Sequence, residues 1–150
     1  MTDETIIKEA VRLVNDGVSV TFPVKGRSMI PFIIGGRDSV VLQKPENLEP
    51  GLVVLAEISP GHYVLHRIID IDEDNGRITL MGDGNVRGTE LCTPATVLAV
   101  ATHVVDGKER RSPLYSPAQK RRARRWRRLL PVRRYLLAIM RRTIKKYAYQ

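Results

Sequence analysis

The apolar positions of the first 105 residues follow two different periods. From Thr5 to Asp16 they recur about every 3.6 residues, which predicts one amphipathic helix that Gly17 can end. From Val18 onward they alternate in short runs rich in Val and Ile, which is typical of strands. We predict strands over residues 18–24, 38–42, 52–58, 63–71, 77–81 and 96–105. The predicted fold class is therefore mainly β, with an N-terminal helix.

Three polar segments interrupt the predicted strands. Asn75-Gly76 lies between two of them and predicts a tight hairpin, because glycine supplies the positive φ that such turns need. Ser28-Met29-Ile30-Pro31 predicts a turn or a short helical start, and residues 82–85 predict a tight glycine-rich loop. Turns and loops of this kind commonly hold functional side chains on a rigid scaffold.

Charge divides the chain into two parts. Residues 1–107 carry 9 Lys/Arg and 15 Asp/Glu, whereas residues 108–150 carry 16 Lys/Arg and a single acid, Glu109. We therefore predict a β domain over 1–107 and a linker with a basic helical tail over 108–150. The linker is expected at residues 112–117, where Ser116-Pro117 is also a suitable N-cap and first residue for a helix.

The basic tail has a helical apolar face that arginines surround. Arg127 and Arg128 lie off this face, Arg133 interrupts it, and Pro131 kinks or restarts the helix. The face consists of Trp126, Leu129, Leu130, Leu136, Leu137, Met140, Ile144 and Tyr147. Three interpretations remain open: an anionic membrane surface bound through residues 117–147, a nucleic acid, or a tail that is solvated or docked on a partner. The apolar face favours a membrane or a partner over a nucleic acid.

The sequence argues against several classes of protein. It shows no signal peptide and no apolar run of the roughly 18 residues that a spanning helix needs, which predicts a cytoplasmic protein. Cys92 is the single cysteine, which excludes a disulfide within the chain, and we expect it to be buried. The sequence lacks the spacing of a metal site, so we expect neither a metal nor another cofactor.

Ser28, His66 and Asp83 are the candidate catalytic residues. A serine hydroxyl becomes a nucleophile only when a base takes its proton. His66 lies within an apolar strand, where the alternation places it on one face with Val64 and Ile68. Asp83 follows a strand in a glycine-flanked loop, where an acid can hold an imidazole in one tautomer. Taken singly, each residue is equally compatible with a structural role.

Taken in order, three segments resemble the conserved boxes of a known family. They are Ser28-Met29-Ile30-Pro31, Leu65-His66-Arg67-Ile68 and Met81-Gly82-Asp83-Gly84-Asn85. Over residues 18–105 the chain resembles the serine peptidases of the signal peptidase I and self-cleaving repressor type. Because the second segment contains a histidine, His66, the chain resembles the branch of the family that uses a Ser-His dyad instead of a Ser-Lys dyad.

The resemblance implies a role for each matched position. Ser28 would be the nucleophile, His66 the general base and Asp83 its support, with backbone near Ser28 forming the oxyanion hole. Substrate binding would involve Met29 and Pro31, although Met29 is equally consistent with plain core. The residues expected to support the site are Arg67, Gly82 and Asn85.

We therefore predict a serine endopeptidase that cleaves a precursor peptide or protein through an acyl-enzyme, after small residues. Without a spanning helix or room for a DNA-reading domain, the chain is expected to be neither the general secretory signal peptidase nor a DNA-damage repressor. A non-catalytic module that binds through the tail, and a self-cleaving regulator, remain open. The predicted location is the cytoplasm or the inner face of its membrane, and the sequence leaves the oligomeric state open.

Overall fold

The structure, a computed structural model, describes the backbone of residues 3–148 and the side chains of residues 4–140 and 142. Eight strands form one antiparallel sheet in the order β1-β2-β7-β3-β4-β5-β6, with β8 paired to β7. They are β1 Val20–Pro23, β2 Ser39–Gln43, β3 Val53–Ser59, β4 His62–Asp72, β5 Arg77–Met81, β6 Glu90–Cys92, β7 Val97–Val105 and β8 Arg111–Pro113. The helices are α1 Asp3–Asn15, α2 Pro117–Arg128 and α3 Arg133–Ala148. The mainly β fold with an N-terminal helix is confirmed.

The β4–β5 hairpin forms where the sequence predicts it. Asn75 donates from its backbone and side chain to the Asp72 carboxylate, at 3.3 and 2.8 Å. Gly76 has a φ of 62°, which glycine adopts without the steric cost of a side chain. The turn therefore fixes the register of β4 against β5, with Asp72 opposite Arg77.

Strand β4 separates two apolar clusters because its side chains alternate between the faces of the sheet. Tyr63 and Leu65 contact the cluster that also receives Val14 of α1. Val64 and Ile68 belong to the opposite cluster, which contains the buried Cys92. The predicted alternation in β4 and the predicted burial of Cys92 are both confirmed.

The predicted linker is part of the sheet. Strand β8 pairs with β7, and Leu114 is buried in the core. The Tyr115 hydroxyl accepts from Val53 N–H at 2.9 Å and donates to the carbonyl of Ala101, and burial raises the pKa of Tyr115 to about 12. The linker assignment is wrong because the apolar pair Leu114-Tyr115 completes the core instead of remaining in solvent.

The basic tail lies on the β domain. Ser116 caps α2 as predicted, accepting from Gln119 N–H at 3.3 Å, and a 3-10 turn at Leu130–Val132 separates α2 from α3. Trp126 and Leu137 are buried against Ile30 and Ile34.

The predicted apolar face is therefore covered in part by the chain's own β domain, since Trp126 faces inward and Leu136 packs against the same cluster. Other apolar side chains are exposed, namely Leu129, Leu130, Val132, Tyr135 and Ile139. The side chains of Ile144 and Tyr147, assigned to the apolar face, lie outside the described residues. None of the described helices is long and apolar enough to cross a membrane.

Candidate active site

Ser28 lies in the turn region between β1 and β2. Ile30 N–H donates to Arg27 O at 3.3 Å, and Phe32 N–H donates to Met29 O at 3.0 Å, so the segment is tightly turned as predicted. The Ser28 side chain is half-buried, whereas Met29 beside it is 2% exposed. The turn therefore anchors itself through Met29 and leaves Ser28 partly accessible.

The glycine-rich loop after β5 lies directly against Ser28. Gly84 N–H donates to Ser28 O at 2.7 Å. A Cβ placed on Gly82 would lie 2.4 Å from Ser28 O, and one on Gly84 would lie 2.3 Å from Arg27 O. Both distances are far below a normal contact, so this approach of two backbones requires glycine at both positions.

His66 reaches the same place from β4. His66 is 7% exposed, and its Nε2 lies 3.1 Å from the point where a Cβ of Gly82 would stand. The backbone carbonyl oxygen of Ser28 lies 2.4 Å from the same point. The structure thus brings Ser28, His66 and Gly82 together, although they are far apart in the sequence.

Glu90 is the acid that holds the His66 ring. Its Oε1 contacts Nδ1 of His66, and its side chain is 21% exposed. A carboxylate on Nδ1 favours the tautomer with the proton there, which leaves the lone pair of Nε2 free to accept a proton. Sequence reasoning missed Glu90, because a three-residue strand such as β6 is too short to show an alternating pattern.

Asp83 does not hold His66, and this prediction is corrected. The Asp83 carboxylate accepts from Arg67 Nε at 2.9 Å and from Arg67 Nη2 at 2.7 Å, with both side chains buried. Burial alone would lower the pKa of Arg67, but the attraction and hydrogen bonds of Asp83 raise it above its ordinary value. The reason is geometric: Arg67 and His66 are adjacent on a strand and point to opposite faces.

Arg67 and Asn85 support the site by fixing the glycine-rich loop. Arg67 also donates to Gly51 O at 2.8 Å, and its guanidinium lies over the Phe32 ring, 5.3 Å from the centroid. Asn85 N–H closes the loop by donating to Gly82 O at 3.0 Å. The loop is thus held by polar contacts both with Arg67 and within the loop itself.

The tail also holds this loop. Trp126 Nε1 donates to Asp83 O at 2.6 Å, and Arg133 Nη1 donates to Asn85 O at 3.0 Å. Arg133 also stacks on the Trp126 ring at 5.1 Å from the centroid. The interruption of the apolar face at Arg133 was the sequence signal for this contact, because a buried arginine needs polar partners.

The two residues predicted to bind substrate lie in different environments. Met29 belongs to the core, and its sulfur accepts from Asp83 N–H at 3.5 Å. Its predicted contact with a substrate is therefore wrong, and it packs beneath the site instead. Pro31 is half-buried and lines a cavity beside Trp126 and Leu129, so its role in binding stays a prediction.

Ser28 and His66 are neighbours without a direct hydrogen bond. Among the described residues, no hydrogen bond joins the Ser28 hydroxyl to His66. In the same part of the chain, the backbone N–H groups of Ser28 and Met29 have no acceptor. Catalytic hydrogen bonds are often loose until a substrate is bound, and unpaired N–H groups beside a nucleophile are suitable donors to an oxyanion.

Comparison with known protein families, curated proteins and solved structures finds no match to this chain.

Proposed function

We propose that the chain is a serine peptidase in which Ser28 is the nucleophile and His66 the general base. The observation that carries the proposal is the convergence at Gly82: the backbone carbonyl oxygen of Ser28 and Nε2 of His66 lie 2.4 and 3.1 Å from the point where a Cβ of Gly82 would stand. Glu90 on Nδ1 adds the third member of a Ser-His-acid arrangement. The family resemblance of the three sequence segments supports the same assignment.

In the proposed reaction, the same groups act first in forming the acyl-enzyme and then in hydrolysing it. Rotation of the Ser28 side chain brings its hydroxyl to His66 Nε2, which takes the proton as oxygen attacks the peptide carbonyl. Glu90 stabilises the imidazolium, and the N–H groups of Ser28 and Met29 donate to the oxyanion. His66 then protonates the leaving amine. Water, activated by the same histidine, releases the acyl group from Ser28.

An apolar cavity provides a place for substrate side chains. It has a volume of about 290 Å³ and is lined by Val24 and Lys25, which precede the Ser28 turn, and by Val64 and Leu65, which precede His66. Helix α1 closes one side through Ile6 and Ile7. Neither Ser28 nor His66 lines this cavity, so it would hold a part of the substrate away from the scissile bond. We propose a precursor peptide or protein as that substrate.

The test compares peptide termini in cells that express the intact chain, Ser28→Ala or Ser59→Ala. Ser59 is exposed at the end of β3, so its replacement is a matched control that leaves the site untouched. We expect termini that appear with the intact chain and with Ser59→Ala but disappear with Ser28→Ala. Those termini identify the substrate and the scissile bond.

The alternatives predict different results. If all three proteins are folded and abundant but give identical termini, the peptidase is refuted and a non-catalytic module replaces it; the missing Ser28–His66 hydrogen bond is the observation that favours this candidate. A new terminus within the chain itself, dependent on Ser28, identifies a self-cleaving regulator.

A further inference from the structure

The tail places four arginines around one cavity beside the glycine-rich loop. The cavity has a volume of about 450 Å³ and lies where α2 and the start of α3 cover the end of β5. Its lining consists of Arg124, Arg127, Arg128 and Arg133 together with Ile69, Met81, Gly82, Asp83 and Leu130. This cavity is distinct from the apolar cavity on the α1 side, with which it shares no lining residue.

The positive charge of this cavity is not balanced within the described chain. Asp83 lines the cavity, but its carboxylate is bonded to Arg67 through three hydrogen bonds. No salt bridge among the described residues involves any of the four lining arginines. Four guanidinium groups therefore surround the space without an anionic partner.

Arg133 shows most clearly that a partner is missing. It is 3% exposed and donates to Asn85 O at 3.0 Å and to Trp126 O at 3.2 Å. Its Nε is buried without a hydrogen-bond partner among the described residues. Burial and the neighbouring charge of Arg127 lower the pKa of Arg133 below its ordinary value, although the Asp83 carboxylate acts in the opposite direction. Buried charges of this kind are normally paired.

We propose that this cavity binds a phosphate group, with Arg127, Arg128 and Arg133 as its principal ligands. Guanidinium groups present planar pairs of donors that match phosphate oxygens, and several of them together neutralise a dianion. The phosphate belongs to a small soluble molecule or to a lipid headgroup. Leu130 at the wall and Leu129 beside it, each 40% exposed, give a lipid an apolar surface next to the headgroup.

Binding is tested by calorimetric titration with pyrophosphate and by sedimentation with vesicles. One set of vesicles contains equal parts of phosphatidylglycerol and phosphatidylcholine, and the other contains phosphatidylcholine alone. The test variant is Arg127→Gln/Arg128→Gln. The control is Arg121→Gln/Arg125→Gln, which removes the same charge from the same helix at positions outside the cavity. All four of these arginines are exposed. The variants are compared at one ionic strength after their folding has been checked.

We expect the intact chain and the control to bind, and the test variant to bind roughly tenfold or more weakly, since hydrogen bonds to charged groups are being removed. If the test variant loses binding to both pyrophosphate and anionic vesicles, a free phosphate group is sufficient as the ligand. If the intact chain binds only the anionic vesicles and the test variant loses that binding, the ligand is a lipid headgroup. The proposal is overturned if the intact chain binds neither probe, or if both double variants lose binding equally, because the effect is then general charge. None of these outcomes depends on peptidase activity.

Discussion

His66 and Arg67 are neighbours on β4, and each holds one carboxylate, but the two pairs are built differently. His66 contacts Glu90 through one ring nitrogen, and Glu90 comes from a short edge strand with a side chain 21% exposed. Arg67 binds Asp83 through three hydrogen bonds, and both side chains are at most 5% exposed. One face of the strand therefore carries a single, partly open contact and the other a closed network.

The difference shows how the two faces of one strand can serve different purposes, one for proton transfer and the other for structural support. A general base must gain and lose a proton, which requires a nitrogen that is not already engaged. The loop that lies against Ser28 is held in place by the buried Arg67–Asp83 pair together with Trp126. We therefore expect changes on the Arg67 face to reduce stability and changes on the His66 face to reduce activity.

Asp83→Asn should have the largest effect. It leaves the Arg67 charge buried without its partner, and removing one member of a buried pair costs roughly 3–5 kcal/mol. Urea unfolding measures the loss. Glu9→Gln is the matched control, because its ion pair with Arg12 is exposed, and it should shift the midpoint far less. Adding Arg67→Met to Asp83→Asn should recover stability; if it does not, the buried charge is not the cause.

Gly82→Ala should come next. Its Cβ would meet the backbone oxygen of Ser28 at 2.4 Å, so the loop and the turn must separate. Overpacking of this kind costs roughly 1–3 kcal/mol. If the chain is a peptidase, the movement should also remove its activity. Gly107→Ala is the control, because its Cβ would meet the flexible Arg37 side chain at 3.3 Å. Equal midpoints of thermal unfolding for the two variants would contradict this prediction.

Trp126→Phe should have a smaller effect. The aromatic ring remains, but the hydrogen bond to Asp83 O is lost, which costs about 1 kcal/mol. Guanidinium unfolding should show the loss, whereas Tyr135→Phe, at a position 58% exposed, should leave the curve unchanged. A wild-type curve for Trp126→Phe would mean that the tail does not stabilise the loop.

Glu90→Gln should have the smallest effect on stability, under about 1 kcal/mol, because the contact is partly exposed. If the chain is a peptidase, the same change should reduce kcat/KM roughly a hundredfold or more, since the amide cannot stabilise an imidazolium. The measurement uses the substrate identified from peptide termini. A loss of stability equal to that of Asp83→Asn would break the comparison between the two faces.

Much of the fold could be predicted from local patterns. The alternation in β4, the Asn75-Gly76 turn and the Ser116 cap each depend on residues close in sequence, and each is present. Strands β6 and β8 were missed because three residues show no period. Their pairing depends on the sheet that they join, which local patterns do not describe.

The candidate site could be predicted in part. The three segments indicated Ser28, His66 and the glycine-rich loop, and the structure brings these together. The acids could not be assigned, because residues on opposite faces of β4 compete for them and sequence order does not say which face a loop reaches. The sequence left the partner of the tail open for a related reason: Arg133 interrupts the apolar face, but local patterns do not show that the backbone carbonyls of Asn85 and Trp126 give it partners inside.

The burial of Trp126 has a practical consequence for spectroscopy. The chain contains one tryptophan, and its indole is 6% exposed and hydrogen-bonded to the glycine-rich loop. Intrinsic fluorescence excited at the indole band therefore reports from a single position, at the contact between α2 and the candidate site. Its emission wavelength follows the docking of the tail without any added label, in the same cuvette in which ligands or peptides are titrated.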